Sequence, residues 1–134
     1  MGAREAAGRR AWLVRGSSVN GYNLVPTWLE EGLVSLAASA LRPVEPGLDR
    51  AEIKAIVDED YQHKSYAARK EKTSEFHAFL SRMQIGDLAV TTSGGKIYLG
   101  VVTGDAEWVD SPDQPSNLRR TVEWRNADAL DRIR

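Results

Sequence analysis

The chain has 134 residues, 42% hydrophobic and 28% charged, which is apolar mass enough for the core of one soluble domain. Cysteine is absent and only two histidines occur, His63 and His77, which excludes thiolate catalysis, Cys-ligated zinc, iron–sulfur clusters and a three-histidine site. The net charge of −1 selects no partner, but its distribution is uneven. Residues 1–15 set Arg4, Arg9, Arg10 and Arg15 against Glu5, and residues 61–82 set five basic residues against Glu71 and Glu75, whereas 45–60 hold six acids against Arg50 and Lys54. Basic patches on a neutral domain suit a polyanion that meets one face, or else plain solvated helix faces. No apolar run approaches the roughly 18 residues of a membrane span and no signal segment opens the chain, so the expectation is a cytoplasmic protein without a membrane partner.

Residues 1–10 are small, polar and basic and are expected to be a disordered lead-in. Ala11–Arg15 is β-prone and reads as the first strand, followed by a turn-rich loop over 17–23. Thr27 and Glu30 have capping-box spacing and Gly32 a stop, which predicts a helix of about one turn; Leu33–Leu36 reads as the next strand. After a linker with Pro43 and Pro46, Asp49 and Glu52 form a second capping box, with a Leu48–Ile53 staple, and open a helix whose inner face is Ile53, Ile56 and Val57. Phe76, Phe79, Leu80 and Met83 at i, i+3, i+4 and i+7 predict a further helix running to about Met83. Leu88–Thr92 and Lys96–Val102 about Ser93-Gly94-Gly95 give a clear hairpin signal, and Arg119–Trp124 is a last strand by alternation beyond an acidic loop at 105–117. Residues 127–134 begin a helical pattern that runs out, as a linker to a further region would. Strands segregated from helices predict an α+β domain with a small, curved, mostly antiparallel sheet.

Motifs for catalysis are weak. Neither histidine sits in a triad frame, Asp58-Glu59-Asp60 lacks the alternating oxygens of a calcium loop, and Ser93-Gly94-Gly95-Lys96 lacks the spacing of a phosphate loop. A non-catalytic domain with no metal and no cofactor is therefore expected. Four tryptophans are many for this length. Trp12 and Trp124 lie within strands and read as core, while Trp28 and Trp108 fall at loop edges, where an indole either packs at a rim or stacks on a flat ring. Ser17, Ser18 and Asn20 add short donors and acceptors, although Asn20-Gly21 is equally ordinary turn chemistry.

Three segments, Gly86–Thr92, Ile97–Gly104 and Arg119–Trp124, together with Trp12–Ser17 and Asn23–Gly32, resemble EVE-like domains of the PUA/YTH/EVE superfamily over about residues 11–126. The similarity is to the N-terminal modules of bacterial modification-dependent restriction proteins of the McrB or Mrr type. It implies a small curved β-barrel flanked by helices that takes a modified, flipped base into an aromatic-lined pocket and targets an attached effector. The implied pocket positions are Ser17, Ser18, Asn20, Tyr22, Trp28, Ser35, Thr91, Thr92 and Trp108. Similar sequences place an aromatic residue just after the second strand; here Ala37-Ala38 stand there, which leaves the walls to Tyr22, Trp28 or Trp108. Phosphate contacts would come from Arg9, Arg10, Arg15, Lys64, Arg69, Lys70, Arg119 and Arg120. The other readings are a PUA-like RNA-binding module and a peptide-binding module.

Overall fold

A computed structural model of the chain describes residues 3–6, 9–19, 21–110, 116–125 and 130–131. The elements in chain order are β1 (Ala3–Ala6), β2 (Arg9–Leu13), α1 (Val25–Glu31), β3 (Leu33–Leu36), α2 (Arg50–Asp60) and α3 (Tyr66–His77). A π-helical turn (Ala78–Arg82) extends α3, and β4 (Leu88–Ser93), β5 (Lys96–Val102), β6 (Glu107–Trp108), β7 (Leu118–Trp124) and β8 (Leu130–Asp131) follow. The mixed α+β class is that expected from the sequence. Two segments differ from expectation: residues 3–6 of the lead-in pair with β2, and Leu130–Asp131 pair with Lys96 and Ile97 of β5 where a helix was expected.

The strand order is β1-β2-β4-β5-β7-β3, with β6 on β7 and β8 on β5. β2 and β4 run parallel, and the other described pairs are antiparallel. The closed barrel implied by the resemblance is not formed. Closure requires the two edge strands to be hydrogen-bonded, and among the described residues β1 and β3 lie at opposite ends of the order with no pairing between them. The β4–β5 hairpin turns on Gly94 (φ 59°) and Gly95 (φ 79°), and two successive positive φ values give the turn whose twist matches its strands.

Helix boundaries show where local spacing decides and where it does not. At α2 the Asp49 carboxylate accepts from the Glu52 N–H at 2.8 Å and the Glu52 side chain accepts from the Asp49 N–H at 3.2 Å, so this capping box forms as the spacing predicts. The Thr27–Glu30 box does not form. Leu24 is the N-cap of α1, with Pro26 in its first turn, because the Leu24 N–H is already bound to the Gly16 carbonyl and Asn23 Oδ1 accepts from Val25 N–H. Phe76, Phe79, Leu80 and Met83 are all buried as their spacing requires, but the α-helix ends at His77. Beyond it the Met83 N–H bonds to the Ala78 carbonyl, five residues back, which leaves the Phe79 carbonyl to accept from Arg120 Nη1 at 2.8 Å.

The core joins the sheet to the helices in one cluster, including Trp12, Val34, Val102 and Leu118 from strands and Val57 and Phe76 from helices. A carboxylate clasps its two sequence halves: Asp87 accepts from the Trp12 indole N–H at 2.9 Å, from the Gln84 N–H at 2.9 Å and from the Arg10 N–H at 3.3 Å.

Candidate nucleic-acid interface

The residues expected to form an aromatic base pocket differ in burial and in their partners. Trp28 is 1% exposed and donates its indole N–H to the equally buried Ser35 hydroxyl at 2.8 Å, so both belong to the core, and Trp28 borders only a small cavity of about 40 Å³ that Arg119 also lines. The Trp28 ring lies on Gly16, where an added Cβ would stand 2.3 Å from the ring. Trp108 is half-buried and donates its indole N–H to the Leu41 carbonyl at 3.0 Å. Trp12 and Trp124 likewise donate inward, to Asp87 and to the Trp28 carbonyl. Thr91 is buried with its hydroxyl unpartnered, and Thr92 is half-buried opposite Ile97. Ser17, Ser18 and Tyr22 are exposed on one loop, in which Val19 and Tyr22 exchange backbone hydrogen bonds, and Asn23 Nδ2 ties its end to Ser93 Oγ at 3.1 Å. Asn20 lies outside the described residues.

The basic residues also separate. Arg120 is 2% exposed and its guanidinium donates to the Phe79, Met83 and Gly104 carbonyls at 2.8–3.0 Å, so it is a structural clamp and not a phosphate contact. Burial pulls its pKa below the ordinary guanidinium value. Arg119 is half-buried and donates to the Ser116 carbonyl. Arg9 and Arg10 lie on β2 and Arg15 is exposed just beyond it; the Arg9 side chain lies outside the described residues. Lys64 and Lys70 are exposed, and Arg69 is half-buried, donating to Asp58 Oδ1 at 3.2 Å and to the Lys64 carbonyl at 2.7 Å.

A site does emerge from the helical pair. On α2, Arg50, Lys54 and Asp58 recur every four residues and share one face; on α3, Tyr66, Arg69, Lys70 and Thr73 share one face at i, i+3, i+4 and i+7. Contacts between Arg50 and Ser74 and between Asp58 and Arg69 set the helices antiparallel, so the two stripes face each other. Between them lies a cleft of about 210 Å³. Asp58 is its one carboxylate, bonded to Lys54 Nζ at 2.7 Å and to Arg69, and these hydrogen bonds, that of Lys54 first, hold its carboxyl below the ordinary value. Four cations therefore meet one anion. Among the described residues Arg50 is bonded to the Ser74 hydroxyl and Lys70 is paired with no carboxylate. Both also border a wider groove of about 610 Å³ along α3.

Tyr66, 66% exposed, stands in this cleft among the cations. Arg50, Lys54 and Tyr66 were not among the expected site residues. The signal for the two cations is present in the sequence as i, i+4 spacing, but the acidic balance of residues 45–60 conceals it. Elsewhere, His63 is stacked on Tyr61 with centroids 5.9 Å apart, and Lys72 lies over the same ring. Among the described residues no group of three or more His, Asp or Glu side chains is placed to hold a metal ion, and no helix is long and apolar enough to cross a membrane.

Residues 12–133 match the model of a family described as "Domain of unknown function (DUF8426)". No curated protein and no solved structure matches the chain.

Proposed function

We propose that this chain, which belongs to the DUF8426 family, is a non-catalytic nucleic-acid-binding domain of EVE-like type that recognises DNA carrying a modified base and brings an attached effector to it. The observation that carries this reading is the α2–α3 cleft, where four cations and an exposed tyrosine surround one carboxylate. Such a stripe binds phosphates by releasing their counterions, which supplies affinity without sequence information. Further support comes from the segments that carry the resemblance, Gly86–Thr92, Ile97–Gly104 and Arg119–Trp124, which supply β4, β5 and β7, consecutive strands of the sheet. In this reading the open sheet is the curved half of a PUA-like barrel.

Discrimination of a methyl group by apolar contact is worth only about 1–3 kcal/mol. Base identity must then be read through hydrogen bonds, for which Ser17, Ser18 and Tyr22 are the exposed groups of the predicted pocket set.

The test is fluorescence anisotropy of the domain on one short duplex, prepared unmodified and with methylated or glucosylated bases. A tenfold or greater preference for one form is the expected result. Arg50→Glu with Lys70→Glu should weaken binding to every form and reduce the slope of log affinity against log salt by about 2. Preference for structured RNA would replace DNA with RNA as the partner. Salt-independent binding, or none at low salt, would overturn the reading.

A further inference from the structure

We infer that the α2–α3 cleft holds a single unstacked nucleotide, its base against the Tyr66 ring and its phosphate among Arg50, Lys54 and Lys70. This rests on the nucleic-acid reading above and assigns the part of the ligand that the cleft takes.

The cleft is polarised along its length. Because the helices are antiparallel, Arg50 lies beside Ser74 at one end, while Asp58 and Tyr66 lie at the end where the helices connect. Lys54 stands between, bonded to Asp58 at 2.7 Å. Arg50 and Lys70, which no carboxylate engages among the described residues, are the cations open to phosphate, whereas at the Tyr66 end Lys54 and Arg69 are both engaged by Asp58. The Tyr66 end therefore accommodates the uncharged part of a nucleotide, with Asp58 placed to accept from an N–H on a base edge.

Tyr66 has no evident role in stability. Among the described residues it is the most exposed of the large hydrophobic side chains, at 66%, while Phe76 and Phe79 of the same helical run are fully buried. A phenol ring held in water beside cations offers a face on which any base can stack. A base inside a duplex has both faces covered by its neighbours, so this contact needs a base that is unpaired or extruded.

The experiment uses the whole chain and a short single-stranded oligonucleotide labelled with fluorescein, and a second copy carrying one 2-aminopurine, whose fluorescence falls when the base stacks. Wild-type protein should bind the strand and quench the 2-aminopurine. Tyr66→Ala should lower affinity about tenfold and abolish the quenching, and Tyr66→Phe should restore both, since the ring and not the hydroxyl is the platform. Circular dichroism checks that each variant is folded. If Tyr66→Ala quenches as fully as wild type, or if wild type does not bind the single strand, the inference is overturned. In either case a loss of duplex affinity in Arg50→Glu with Lys70→Glu leaves the nucleic-acid reading standing; no loss there removes that reading too.

Discussion

The guanidinium of Arg120 fills a gap made by three carbonyls from two separate segments, those of Phe79 and Met83 at the π-helical turn and that of Gly104 after β5. A buried acceptor left without a donor loses its full solvation, so removing the side chain costs more than the bonds it makes. Arg120→Ala should lower the free energy of unfolding by about 1–3 kcal/mol for each carbonyl left without a donor, read from urea denaturation. Arg120→Lys should recover only part of this, because a point ammonium cannot span three acceptors as the planar fork does. A loss below about 1 kcal/mol would show that the carbonyls find other donors. Gly16 offers a steric counterpart: Gly16→Ala drives a methyl into the Trp28 ring. The expected cost is about 1–3 kcal/mol, with a shift in tryptophan emission that leaves the cleft untouched. Side-chain chemistry at such positions is legible in a sequence, but burial is not. Charge marks Arg120 as a phosphate contact and loop position marks Trp28 as exposed, yet their partners lie in remote segments or depend on how the backbone bends.

Among the elements, α2 is the best determined by its own sequence. Asp49 and Glu52 satisfy each other's backbone N–H groups within four residues, and nothing distant is needed to place the helix start. Asp49→Ala should cost about 1 kcal/mol, measured as a lowered thermal midpoint. Because the first turn carries Arg50, the same variant should also weaken nucleic-acid binding in proportion to its fraying; unchanged affinity would separate the cap from the cleft. The β4–β5 hairpin was legible for the same reason, its turn and both strands being contiguous. The start of α1 and the π-helical turn were not, since the Gly16 carbonyl fixes one and Arg120 accompanies the other. The stripe of Arg50 and Lys54 was hidden differently: its spacing is local, but neighbouring acids cancel it in any segment average. Two of those acids, Glu59 and Asp60, face Arg42 instead of the cleft.

For the whole molecule, acid should act through those α2 carboxylates. Asp58 is held below its ordinary pKa first by the Lys54 hydrogen bond, and Asp60 first by that of Arg42. Groups depressed in the folded state stabilise it above the unfolded value, about pH 4, and lose that contribution as the pH falls through their lower folded values. Urea midpoints measured from pH 7 down to pH 2 should therefore drop below about pH 4. Asp58→Asn with Asp60→Asn should flatten that drop; an identical profile would assign it to other groups. At this scale the class of the domain follows from segregated strands and helices, whereas the sheet order does not, because the β2–β4 and β3–β7 pairs join segments far apart in sequence. The Asp87 clasp has a consequence for how the protein is made. Its indole donor and its carboxylate are 75 residues apart, so at about 5–20 residues per second they leave the ribosome about 4 to 15 s apart. Throughout that interval β2 has only β1 to pair with, and it docks on the sheet only after the β4 segment has been synthesised. Limited proteolysis of stalled nascent chains should cut within residues 9–14 until that segment has emerged, and the site should close once it has.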